Sequence, residues 1–161
     1  MCRPVHVSFI LGTALAISMP YIPTAVAQDV QLLCASIGDD DRLRPIPATL
    51  IPKARQLFGI SMETPSAFVR KSTSFRCMKG KVLLCNYGAN IPCGKANTSR
   101  TAKRATDFCR QNPGSDFVPM AATGHDTIYD WKCAGNKAQI SRQIATVDPR
   151  GFIARSWKEL E

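Results

Sequence analysis

His125 is the residue with the most obvious chemical potential in this chain. It sits in Thr123-Gly124-His125-Asp126-Thr127 and is the one histidine between residues 28 and 161. Imidazole titrates near neutral pH, so it can act as a general acid or base once a carboxylate orients it. Asp126 is its neighbour, but adjacent residues of an extended segment point to opposite faces. A turn histidine that packs or hydrogen-bonds locally is the simpler reading. A hydrolase, either a nuclease or a cell-wall enzyme, would have to pair His125 with a distant carboxylate such as Glu63 or Asp130.

Other chemistries find little support. A zinc site needs three or four ligands from Cys, His and carboxylate, and the sequence predicts no metal and no cofactor. The six cysteines Cys34, Cys77, Cys85, Cys93, Cys109 and Cys133 contain no C-x-x-C pair, which argues against a zinc ribbon and a dithiol redox motif. There is no G-x-S-x-G elbow and no Gly-rich phosphate loop. The cysteines instead predict three disulfides, of which Cys85–Cys93 is the local candidate.

A binding site has better prospects. The segment 86–98 (NYGANIPCGKANT) lacks any period and is rich in Gly, Asn and Pro, so it reads as a loop closed by Cys85 and Cys93. Asn90, Lys95 and Asn97 offer neutral and cationic donors suited to a carbonyl-rich or anionic ligand. With His125 and Tyr129 they make the predicted binding set, and Tyr87 and Trp131 would extend a stacking surface. The competing reading gives Asn and Gly to turns and the aromatics to the core. Asn97-Thr98-Ser99 also matches a glycosylation acceptor pattern.

Several elements must position these residues. Residues 28–47 read as an irregular lead-in, with Asp39, Asp40 and Asp41 in a solvated loop that Cys34 staples to the body. Residues 49–59 read as a short helix: Pro52 suits its first turn, Ala54, Leu57 and Phe58 form a stripe, and Gly59 caps it. Phe75 and Cys77 alternate into a Lys79-Gly80 turn, and Val82 to Cys85 return. That register places Cys77 opposite Val82 and Ser74 opposite Cys85, so Cys77 and Cys85 face opposite ways. A second helix is expected over about 100–111, capped by Thr98 or Ser99 and ended by Asn112-Pro113-Gly114. Its bases Arg100, Lys103, Arg104 and Arg110 are the feature that a nucleic acid would contact.

The last third reads as an antiparallel meander. Tyr129, Trp131 and Cys133 lead into a Gly135-Asn136 turn, and Ala138 and Ile140 return on the same face. Asp148-Pro149-Arg150-Gly151 is a second turn, and Phe152 to Trp157 is the expected last strand. The triplets Phe75-Arg76-Cys77 and Trp131-Lys132-Cys133 echo one another, as two hairpins with packed aromatic faces would.

Residues 1–27 have the form of a cleavable export signal. Arg3 precedes an uncharged apolar run from Val7 to Met19, and Ala25-Val26-Ala27 supplies the small-x-small pattern before Gln28. The apolar run is about 13 residues, short of the roughly 20 that a spanning helix needs. Of the net charge of +9, one positive charge is Arg3, so residues 28–161 carry +8. Such a charge favours anionic partners, whether an envelope polymer, a protein target or nucleic acid, although it also serves solubility alone.

The stretches CMKGKVLLCNYGANIPCGKANTS, ATGHDTIYDWKC and VDPRGFIARSWKEL resemble a group of small exported bacterial proteins of unassigned function, over most of residues 50–160. That resemblance implies export and carries no activity, cofactor or catalytic residue. More loosely, the chain is similar to the small β-barrel lysozyme inhibitors of bacterial envelopes, which also place an aromatic and a cysteine before a Gly-containing hairpin. Their inhibitory loop motif is absent.

The expectation is one disulfide-stabilised α+β domain over residues 28–161. It has a small antiparallel sheet of two hairpins and a C-terminal meander, with two short helices. The leading function is an exported, periplasmic or secreted, cationic binding or inhibitor-like protein without catalysis. The alternative is a small cationic hydrolase using His125.

Overall fold

The computed structural model describes residues 25–161 apart from Ala89. Residues 1–24 of the expected signal lie outside the described residues. The described residues form an α+β fold with two antiparallel sheets, five α-helices and three disulfides.

The lead-in is regular rather than irregular. Helix α1 (Ala25–Ile37) turns Val30, Leu33 and Cys34 onto one face, at i, i+3 and i+4, and Val30 and Cys34 are buried. Gly38, at φ 79°, ends the helix, and strand β1 (Asp40–Pro45) follows at once. Asp40 and Asp41 therefore belong to a strand and not to a solvated loop, while Asp39 stays exposed in the short connection before it. Asp39 accepts the Lys79 amide at 2.7 Å, Asp40 pairs with Arg44 at 2.6 Å, and Asp41 pairs with Lys95 and Arg150. Their charge masks the strand, because each carboxylate takes a partner that is remote or four residues on.

Helix α2 (Ile51–Phe58) buries Ala54 and half-buries Leu57 and Phe58, with Pro52 in its first turn. Helix α3 (Ser66–Ser72) runs straight into strand β2 (Thr73–Met78), which pairs with β3 (Lys81–Asn86). Lys79 and Gly80 both take positive φ, 53° and 76°, the geometry of a two-residue hairpin turn. Cys77 lies opposite Val82 and Ser74 opposite Cys85, so the two cysteines do face opposite ways. Cys77 bonds Cys34, and Cys85 bonds Cys93.

Helix α4 (Lys103–Gln111) starts later than its bases suggest, with Ala102 rather than Thr98 or Ser99 at its head. Those polar residues are used in a preceding turn: the Ser99 amide donates to Asn97 Oδ1 at 3.0 Å, and the Ser99 hydroxyl donates to the Thr101 carbonyl at 2.8 Å. After α5 (Met120–Thr123), strands β4 (Tyr129–Ala134) and β5 (Lys137–Gln143) form the second hairpin about Gly135. Trp131 faces Ile140 and Cys133 faces Ala138.

The C-terminal segment is not the third strand of a meander. Phe152 and Ile153 are buried in succession, which breaks a period-2 pattern, and a 3-10 turn follows at Ala154–Ser156. Strand β6 (Lys158–Glu159) then crosses to the other sheet, whose order is β1-β2-β3-β6. The Asp148–Gly151 turn does form, closed by a 2.9 Å bond from the Gly151 amide to the Asp148 carbonyl.

Three apolar clusters result, and each holds one disulfide. Helices α1 to α3 cover one face of the four-stranded sheet around Cys34–Cys77. Helix α4 covers β4 and β5 around Cys109–Cys133. Between them, Leu83, Phe152 and Trp157 pack with Cys85–Cys93. The two aromatic–base–cysteine triplets therefore face different cores and do not pack together. The fully buried Arg76 points into the third cluster: its guanidinium lies 4.1 Å from the Phe152 ring centre and 4.5 Å from that of Trp157, and it pairs with Asp148. Burial lowers its pKa and the Asp148 carboxylate raises it.

Candidate functional site

The stapled loop and the His125 turn do meet. Asn90, Ile91 and Pro92 form one wall of a cleft of about 180 Å³. His125 and Thr127 form a second wall, and Ile144, Ile153, Arg155 and Ser156 complete it, with Met120 on the rim. The wall residues come from three separate stretches of the chain after β3, at 90–92, 120–127 and 144–156, so tertiary contacts assemble them.

Each wall has an identifiable support. The Cys85–Cys93 bond, with Cα atoms 5.8 Å apart, closes the loop that carries Asn90. Gly88 and Ile91 exchange hydrogen bonds within it at 3.2 and 3.3 Å. The His125 turn is held on Asn97: the Asn97 amide donates to the Asp126 carbonyl at 2.8 Å, and the Ile128 amide donates to the Asn97 carbonyl at 3.2 Å. Gly124 takes φ 89°, and a Cβ there would come within 2.5 Å of Asp126 Oδ1, so the turn needs glycine. Thr127 is buried, and its hydroxyl accepts from the Tyr129 amide at 3.2 Å and from Trp131 Nε1 at 3.4 Å. Arg155 Nη1 donates to the Ile144 carbonyl at 2.6 Å, which fixes the guanidinium at the cleft. A second groove of about 430 Å³, lined by Gln143, Ile144, Ala145, Thr146 and Arg155, shares two residues with the cleft and continues it.

Of the predicted binding residues, Asn90 and His125 reach the cleft, and both are exposed. Lys95 does not reach it. Its ammonium binds Asp41 at 2.6 Å and the Arg150 carbonyl, and lies 4.7 Å from the Phe152 ring centre. Arg150 and Lys95, the larger effect first, hold the Asp41 pKa down to about 2. Asn97 supports the cleft through its backbone. Tyr129 is buried, edge-on to Trp131 at 6.2 Å, so neither ring offers a stacking face. Arg155, Met120 and Thr127 enter the cleft unforeseen. Arg155 falls in the segment whose sequence reads as the last strand but which forms a 3-10 turn, and no spacing links it to residue 90.

No carboxylate lines the cleft or the groove. Among the described residues His125 makes no hydrogen bond to an acid. Asp130 binds Arg142 at 2.7 Å, and Glu63 lies in the α2–α3 connection. The α4 bases are partly compensated, since Lys103 and Arg110 share Asp107 at 2.7 and 3.1 Å. Arg100 lies 5.6 Å from the centre of the Tyr129 ring. Among the described residues no group of three or more His, Cys, Asp or Glu is placed to hold a metal, and no helix is long and apolar enough to cross a membrane. No protein family, curated protein or solved structure matches this chain.

Proposed function

We propose that this protein is an exported, non-catalytic binding or inhibitor-like protein of the cell envelope, acting through the Asn90–His125–Arg155 cleft. One observation carries the reading: a cleft with cationic and amide donors, half apolar in its walls, and with no acid among them. Such a lining attracts an anionic group and offers it hydrogen bonds. Export is supported by the signal-like residues 1–27 and by three disulfides, which persist in oxidising compartments. The hydrolase reading is less well supported, since it needs a carboxylate or other partner within hydrogen-bond reach of His125.

The test is binding of the oxidised protein to peptidoglycan, lipopolysaccharide, nucleic acids, lysozymes and envelope-protein peptides, at low and high salt. Binding that survives high salt and weakens in Arg155→Ala supports the reading. His125→Ala should keep the fold and its melting temperature, because His125 is exposed. Binding to every polyanion that disappears with salt would leave net charge as the sole agent. Hydrolysis of any of these ligands, abolished in His125→Ala, would establish the enzyme instead.

A further inference from the structure

The cleft's rim and its neighbours bear on what kind of ligand it takes. Ile91 is 47% exposed and Met120 43%, both at the edge of the cleft. Apolar side chains grouped at a cleft mouth gain from being covered by an apolar group of a partner. A glycan would call for an aromatic stacking face, whereas no aromatic side chain lines the cleft: Tyr129 and Trp131 are buried, and Tyr87, although exposed, is not among its walls. Arg155 is the permanent cation of the lining. Its Nη1 is held by the Ile144 carbonyl, so the planar fork is oriented before any ligand arrives. Among the described residues no carboxylate forms an ion pair with Arg155, so its charge is free for an incoming acid.

Direction follows from charge. A hollow that shares Met120 with the cleft contains Asp116, an acid that disfavours an anionic chain, and Asp130, already paired with Arg142. The groove from Gln143 to Thr146 contains no acid and shares Ile144 and Arg155 with the cleft. An acid-free lining therefore extends from the cleft that holds Ile91 and Met120, through the shared Ile144 and Arg155, to residues 143–146.

We infer that the cleft and this groove form one site for an extended acidic peptide segment of a partner protein, with a carboxylate at Arg155 and an adjacent apolar side chain between Ile91 and Met120. The inference deepens the binding reading and rests on it.

The probes are two pools of N-acetylated, C-amidated heptapeptides with apolar residues flanking a fixed centre, glutamate in one pool and glutamine in the other. A soluble anionic peptidoglycan fragment is the third ligand. The protein, expressed from the full sequence and purified oxidised, is read by amide chemical shifts and by retention of each pool. The glutamate pool should be retained about tenfold over the glutamine pool, the difference made by one charge-assisted contact. Shifts should fall on Ile91, His125, Ile144 and Arg155. Arg155→Gln should abolish the preference, and Met120→Ser should weaken retention of both pools, with melting temperatures unchanged. Equal retention of the two pools, or retention of neither, would overturn the inference. If the glycan fragment alone shifts the cleft amides, the peptide assignment fails while the binding reading stands. If no ligand shifts them, both fail.

Discussion

Asp41 allows the most direct check on how this fold is held together. Its carboxylate takes Arg150 Nε and Nη2 at 2.9 and 3.1 Å and Lys95 Nζ at 2.6 Å. It thus ties β1 to the loop beyond Cys93 and to the Asp148–Gly151 turn. These contacts hold its pKa at about 2, against about 3.9 for an ordinary aspartate. A depression of that size corresponds to at most about 2.5 kcal/mol of folding stability. The side chain is 28% exposed, and water screening reduces the effect to about 1 kcal/mol. Because the folded pKa is depressed, the contribution is complete above about pH 4 and is lost as pH falls through 2. Asp41→Asn should therefore destabilise the protein by about 1 kcal/mol at pH 7. The gap to wild type should close between about pH 4 and pH 2. Urea denaturation at pH 7, 5, 3 and 2 on both proteins measures this. Asp40 and Asp107, whose pKa values are also lowered, titrate in both proteins and cancel in the difference. Equal stability at pH 7, or a gap that persists at pH 2, would refute the argument.

Two further perturbations test the interior. Removing each disulfide as a Cys→Ser pair should destabilise in order of the loop it closes. The spans are 43 residues for Cys34–Cys77, 24 for Cys109–Cys133 and 8 for Cys85–Cys93, worth about 4, 3.5 and 2.5 kcal/mol in the chain-entropy account. Calorimetry of the three variants gives the ranking, and full reduction should unfold the protein at moderate temperature. A reduced sample melting within about two degrees of the oxidised one would contradict this. Arg76→Ala should cost about 3–5 kcal/mol, because it strands the Asp148 carboxylate and empties the space between two rings. Adding Asp148→Asn to Arg76→Leu should cost less than Arg76→Ala alone, and chemical denaturation of the variants separates the two cases.

What could be read from the residues was local. The α2 stripe, the Lys79-Gly80 and Gly135 hairpins with their registers, and the Asp148–Gly151 turn depend on neighbours within a few positions. Periodicity and turn chemistry encode such features directly. The local pair Cys85–Cys93 was legible for the same reason. Helix α1 was also present in the spacing of Val30, Leu33 and Cys34, but the acidic run behind it read as a solvated loop. That run could be understood only when Lys79, Lys95 and Arg150 arrived from elsewhere in the chain.

The tertiary structure decided the rest. Cys34 found Cys77 and Cys109 found Cys133 because each pair lies in one of three separate cores, a division that no spacing announces. The last segment crossed to β3 instead of completing a meander, since the buried pair Phe152–Ile153 anchors it between the two sheets. That crossing sets Arg155 beside Asn90 and His125. Composition specified a basic, cysteine-linked α+β chain with a loop and a histidine of interest, whereas only folding could bring a cation some 65 positions away to the same cleft.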